Sequence, residues 1–345
     1  MSDKAGPSEG SPLDGDAGKH GNALVEGVGT AISWLTIIPM RGARVFDRIT
    51  GRRAIAALPV AGLVPGLAAV LLVWLPLTVV TLSDAGSAAI GSTAGSGAGV
   101  AGAANPLLPL LVGVLVVCLA EWLTRGMHLD GLADVADALG SYRGPEDARK
   151  VLADPATGPM GVGAVALTLM VQSSAFGVMA SHAFAANGPV PHVSGETGIF
   201  AGLVGGTGGG ADAAASGIMP DFLLGGPFPP LGGAILVFAL PFIFARAAAM
   251  TACHRSFPRM SDSGFGSLTA GTQSGWSVAL WWLVLAGLGF VTAGISGVVA
   301  AVAAVAFAWL FTRRVVKRLG GVNGDALGAI VQVATALTAV VLALG

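Results

Sequence analysis

An all-α, polytopic membrane helical bundle is the fold class this sequence predicts, and three features predict it. Hydrophobic residues make up 54 % of the 345 residues and charged residues only 11 %, against roughly 25 % charged in a soluble domain. The mean hydropathy is +0.77. Long apolar stretches recur along the chain, separated by Gly-, Pro- or Arg-rich breaks. So few charges cannot cover a globular surface with water-facing groups, which excludes an ordinary soluble enzyme. A net charge of −1 gives no basis for nucleic-acid binding. Two cysteines, Cys118 and Cys253, form neither a disulfide framework nor a metal motif.

The elements follow in order. Residues 1–22 are rich in Gly, Ser, Pro and Asp and read as a disordered tail, without the basic and apolar regions of a signal peptide. Residues 23–345 read as one membrane domain. Segment 23–39 carries Glu26 and is short for a span, so it reads as a re-entrant or interfacial helix. A spanning helix needs about 20 mostly apolar residues. Candidates run over 54–82, 106–123, 162–185, 231–252, 276–293, 295–312 and 326–344. That predicts about seven transmembrane helices, with an eighth if 23–39 also crosses. Segment 199–210 is too short and glycine-rich to span. The Gly/Ala-rich stretches 83–105 and 186–230 read as loose linkers.

Lys and Arg set the sidedness. Beyond the tail they cluster in three regions: 41–53, 125–150, and 246–259 together with 313–318. The positive-inside rule places these in the cytoplasm and makes 83–105, 186–230 and the turn at 294–296 external. Segments 125–159, 253–275 and 313–325 then share the cytoplasmic face, as a site built from several helix ends would.

The string His128-Leu129-Asp130-Gly131-Leu132-Ala133-Asp134, followed by Asp137, carries the strongest chemical signal. On a helix the three carboxylates fall on one face, within about 60°. Carboxylates so close repel one another unless a cation or a proton intervenes. An oxygen-only donor set suits Mg²⁺ (magnesium), which shares its shell with water and substrate phosphate. The alternative is a solvated acidic face of an amphipathic helix. His128 suits carboxylate orientation, acid–base work, phosphate binding or a simple polar contact. Glu121 interrupts an apolar span, and Arg125 one turn later is the expected partner. Glycines Gly158 and Gly161 of the turn-rich loop 154–161 let backbone N–H groups approach an anion, although most such loops are only turns. Arg246 lies in an apolar run, where an unpaired guanidinium is costly, so a carboxylate or phosphate partner is expected. Asp325 reads equally as an N-cap or first-turn residue and as a site residue. Acids and arginines on one membrane face point to metal-assisted chemistry on a phosphorylated substrate.

The same string resembles the signature of the cobalamin synthase family, the adenosylcobinamide-GDP ribazoletransferases. The resemblance continues in chain order through Ser33-Trp34-Leu35-Thr36-Ile37-Ile38-Pro39, Pro59 to Gly66, the Asp154 to Gly161 loop, Arg246, and Gly320 to Gly328. Ala156 stands where the family often has Arg, and Arg125 where many members have Gly; 83–105 and 186–230 look like insertions. The resemblance implies a multi-pass enzyme of the bacterial plasma membrane with its active site facing the cytoplasm. It implies that adenosylcobinamide-GDP reacts with α-ribazole, or its 5′-phosphate, and releases GMP. It further implies Mg²⁺ on Asp130, Asp134 and Asp137. Arg246, Asp325, Gly158 and Gly161 would bind substrate phosphate, and His128 or Asp154 would accept the hydroxyl proton. The implied partners are the two substrates, the lipid bilayer, and a homo-oligomer or corrinoid-pathway complex. The competing readings are a transporter with an intramembrane acidic site and another membrane alcohol phosphotransferase. Clustering of the acids at one face argues against the transporter. Absence of the Asp-Gly…Ala-Arg pattern argues against the phosphotransferase.

Overall fold

The computed structural model describes residues 20–75, 107–187 and 236–345. All regular elements among them are helical, apart from two isolated β-bridges. The expected linkers at 83–105 and 186–230 lie outside the described residues, except for 186–187 at a helix end.

Helix α1, Ala23–Leu35, starts where the Asn22 side chain accepts the N–H groups of Leu24 and Val25. Its 13 residues reach about 20 Å, short of the roughly 30 Å hydrocarbon core, so it lies outside the spanning set. Its start is tied down. His20 Nδ1 lies 2.9 Å from Glu26 and its Nε2 lies 3.0 Å from Asp47, while Arg53 donates to Glu26 at 2.9 Å. His20 to Asn22, assigned to the tail by the sequence, belong to the fold, and residues 1–19 of the expected tail lie outside the described residues. Helix α2, Arg48–Ala56, is capped by Asp47, which accepts the Thr50 N–H.

The apolar helices follow. They are α3 at Leu58–Leu75, α4 at Leu108–Leu123, α7 at Pro159–Asn187, α8 at Val237–Ala252, α10 at Gly275–Leu319 and α11 at Gly324–Leu344. Between them lie three amphipathic or short helices: α5 at Met127–Gly140, α6 at Pro145–Leu152 and α9 at Gly264–Thr269. Leu67 and Leu71 of α3 and Leu283 and Leu310 of α10 are exposed, as residues facing lipid would be. Helix α11 is the central post. Of its most apolar stretch 72 % is buried, against 28 % for α7 and for α10.

By length and composition four of these helices can cross a membrane, or five if α4 and α5 count as one bent span. The expected count of seven is not reproduced by that measure, for two reasons. Helices α4 and α8 are short, and α10 is a merged pair. Its backbone leaves helical geometry at Ala293 and Gly294, where φ of Gly294 is 60°. A Cβ on Gly289 would meet the Gly297 carbonyl oxygen at 2.7 Å. Eight residues along a straight helix lie about 12 Å apart, so the chain reverses here. The two expected segments are the limbs of one hairpin, and the glycine supplies the left-handed turn.

The basic regions converge at one end. Arg48 donates to the carbonyls of Ser267 and Ala270. Arg259 pairs with Val322 through a backbone bridge, and the Arg149 guanidinium lies beside Gly320.

Candidate functional site

The site begins at a corner. Arg125 (φ 59°) and Gly126 (φ 64°) are both left-handed, and α5 leaves α4 at 93°. Two consecutive left-handed residues cannot continue a helix, and a non-glycine held there carries strain. Helix α5 is thereby laid across the end of the bundle, outside the spans. Arg125 does not pair with Glu121 as expected; its Nη2 donates to the Trp34 carbonyl at 2.9 Å.

Helix α5 then crosses the start of α11 in backbone contact. A Cβ on Gly131 would lie 2.7 Å from the Asp325 carbonyl oxygen, so only glycine fits. This crossing brings His128, Asp130, Asp325 and, from α8, Arg246 onto one cavity of about 560 Å³. His128 and Arg246 are each only 4 % exposed. Burial, helped by the nearby Arg246, pushes the His128 imidazole down to about 3. It is therefore uncharged, and at that value only a weak base. Among the described residues Arg246 meets no carboxylate within ion-pair distance; its guanidinium lies 5.9 Å from the Phe242 ring. Glu121 accepts from Gln332 at 2.7 Å, and Gln332 accepts from Gln172 at 2.8 Å. Glu121, His128 and Arg246 line a small gap of about 10 Å³ beneath the main cavity.

Asp130, Asp134, Asp137 and Asp325 form no ion pair with any described residue. Burial raises the Asp134 carboxyl to about 6, and Asp130, Asp325 and Asp137 add to the rise in that order. Among the described residues no three acids or imidazoles are close enough to form a ready-made metal cage. Asn323, not Asp325, caps α11 by accepting the Ala326 N–H at 3.0 Å, while its amide donates to Asp325 at 2.7 Å. Asp325 is the first-turn residue.

Three expectations are corrected. Asp137 shares the helix face with Asp130 and Asp134, but its carboxylate is committed. It accepts the N–H of Gly158 at 2.7 Å and of Gly161 at 2.9 Å, holding the start of α7. The N–H groups of Gly158 and Gly161 are therefore taken and do not serve phosphate. Asp154 is exposed, accepts the Ala156 N–H at 3.0 Å, and faces a separate cavity of about 320 Å³ with Arg143 and Asp137. It is thus separated from His128, and the two do not share a reacting group. Asp325 lines the main cavity with Asp130 and Arg246.

Sequence reasoning placed Ser33 and Trp34 only in a family-like segment and did not single out Phe265; all three line the main cavity. It also missed the buried Gln172 and Gln332. Polar side chains in the spans 162–185 and 326–344 were the available signal for those two.

The cobalamin-5-phosphate synthase family model matches residues 27–93, 83–206 and 197–343 of this chain. A relative from Corynebacterium efficiens named adenosylcobinamide-GDP ribazoletransferase is 37 % identical over 94 % of this chain and 93 % of its own. Relatives of the same name from Corynebacterium glutamicum and Corynebacterium diphtheriae are 36 % and 30 % identical. They cover 84 % and 95 % of this chain, and 71 % and 95 % of their own. No solved structure matches the chain.

Proposed function

The chain belongs to the cobalamin-5-phosphate synthase family, and from that premise we propose that it is an adenosylcobinamide-GDP ribazoletransferase of the membrane. In that reaction the oxygen of a free ribose hydroxyl of α-ribazole, or of its 5′-phosphate, bonds to the phosphorus carried by the cobinamide arm. The bond from that phosphorus to the GMP oxygen breaks. GMP leaves, and the hydroxyl proton passes to a base.

One observation carries the site assignment: two nearly enclosed groups, Arg246 and His128, meet exposed Asp130 and half-buried Asp325 on a single cavity. Arg246 is assigned to the diphosphate oxygens, which its planar fork suits. Binding there compensates a guanidinium that has no ion-pair partner in the described chain. His128 lies on the same cavity and is assigned to the attacking hydroxyl, accepting its hydrogen bond; bound substrate phosphate beside it would raise its basicity toward that of a proton acceptor. Asp130, Asp134 and Asp325 are assigned to Mg²⁺. The donors suit it in kind, being all oxygen, mutually repelling and without a cation among the described residues, but no three of them form a ready-made cage, so water and substrate phosphate would complete the shell. Bound Mg²⁺ supplies charge neutralisation for the diphosphate and the departing GMP. Asp137 supports this set by fixing the end of α5 to α7. The positive-inside rule, applied to the basic regions gathered at this end, supports a plasma-membrane protein with the cavity facing the cytoplasm.

The test is an assay of purified protein in detergent with adenosylcobinamide-GDP, α-ribazole and Mg²⁺. Equal amounts of adenosylcobalamin and GMP are expected. No product from a folded preparation that binds the corrinoid would overturn the transferase reading. Full activity in EDTA would overturn the metal assignment alone.

A further inference from the structure

We propose that Trp34 and Phe265 form a platform on which the main cavity holds a flat heteroaromatic base, with the diphosphate lying toward Arg246. The two rings come from opposite ends of the chain. Trp34 ends α1 and Phe265 sits on α9, yet their centroids are 5.1 Å apart in an edge-to-face arrangement at 74°. Phe46 backs Trp34 at 6.1 Å and 22°. A pair serving only the core would be enclosed. These two rings are half-buried, and both residues line the cavity that Arg246, His128 and Asp130 also line.

The platform is held rigidly. Arg125 grips the Trp34 carbonyl, and the Ile37 N–H donates to the Leu123 carbonyl at 2.8 Å. The left-handed Arg125 therefore keeps a strained backbone while fixing the Trp34 segment to the α4–α5 corner. The other end of α1 is fixed by His20, Glu26, Asp47 and Arg53. A preorganised aromatic surface loses little entropy when a base stacks on it.

The dimensions agree. The cavity of about 560 Å³ has room for a nucleoside with its phosphates, not for a corrin macrocycle with its amide arms. The inference rests on the proposed transferase activity, in which both substrates carry such a base: guanine in one, a benzimidazole in the other.

The experiment compares the full-length protein with Trp34→Ala, Trp34→Phe and Phe265→Leu. Calorimetry in detergent measures binding of GMP and of α-ribazole separately, and steady-state kinetics give KM for each substrate. Trp34→Ala is expected to weaken one ligand about tenfold, the loss of one stacked base. Its kcat should change less than about threefold, since the contact serves binding rather than chemistry. Trp34→Phe should restore most of the affinity, and Phe265→Leu should weaken the same ligand by less. A loss confined to α-ribazole identifies the benzimidazole, and one confined to GMP identifies guanine. Unchanged affinity for both ligands, or no binding of either by the unaltered protein, overturns the platform. So does an equal loss of affinity, kcat and thermal stability that Phe does not rescue. If the unaltered protein forms no product but Trp34→Ala still weakens one ligand, the platform stands and the transferase reading falls.

Discussion

Two acidic clusters in this molecule have opposite electrostatics. In the first, Glu26 and Asp47 surround His20, and Arg53 joins Glu26. Hydrogen bonding to Glu26 lifts the His20 imidazole above its ordinary range. Glu26 and Asp47 stay below theirs, because His20, Arg53 and backbone N–H groups outweigh the burial that acts against them. In the second, Asp130, Asp134 and Asp325 have no cation partner among the described residues, and burial with mutual repulsion pushes Asp134 up to about 6. The first cluster is complete as a clamp on α1. The second is the one that the proposed Mg²⁺ would neutralise. Asp137 shows that the helix face alone does not decide which role an acid takes. It stands on the face of Asp130 and Asp134, yet the amides of Gly158 and Gly161 already satisfy it.

The largest expected effect breaks the second cluster's cavity. Arg246→Ala should lower kcat/KM about 1000-fold, roughly the cost of removing a preorganised charge partner in a buried site. Arg246→Lys keeps the charge but not the fork and should recover only part of this. Steady-state kinetics with adenosylcobinamide-GDP read both. Next, Asp130→Asn should lower activity about 100-fold and raise the Mg²⁺ concentration needed for half-maximal rate. Asp137→Asn sharpens the contrast. It should leave the Mg²⁺ requirement nearly unchanged but cost about 1–3 kcal/mol of stability, since a charged acceptor of two backbone N–H groups is lost. If Asp137→Asn instead shifted the Mg²⁺ requirement as strongly as Asp130→Asn, the division between the two acids would fail.

Much of the fold was legible because lipid imposes it. Long apolar runs, arginine clusters and the break at Gly294 each follow from local composition. The Asp-rich helix was legible from the spacing of Asp130, Asp134 and Asp137. The fate of Asp137 was not, because its partners lie more than twenty residues away on a loop whose amides looked equally suited to phosphate. The pairing of Trp34 with Phe265 was hidden for the same reason, since nothing near either residue signals the other. Glu121 was assigned to the nearest cation, Arg125, by helical spacing. The left-handed corner turns Arg125 away and leaves Gln332 as the partner.

The smallest expected effect tests the completed cluster through pH. The folded pKa of His20 lies above its ordinary value of 6.5, so its contribution is fully present below that value. It is lost as pH rises through the raised pKa. Glu26 and Asp47 act in the other direction. Their lowered carboxyls contribute above the ordinary 4.5 and 3.8 and lose that contribution only on strong acidification. The clamp is therefore most stabilising on the mildly acidic side of neutrality. Thermal unfolding in detergent should show a melting temperature that declines above pH 6.5 for the unaltered protein. His20→Ala should start about 1 kcal/mol less stable, the order of one charged hydrogen bond. Its melting temperature should decline less over the same range. The imidazole holds both carboxylates at hydrogen-bond distance, 2.9 Å to Glu26 and 3.0 Å to Asp47, so losing its charge weakens both contacts at once. Parallel pH profiles for the two proteins would mean that the cluster is not the titrating clamp, and that α1, and Trp34 with it, is held by packing alone.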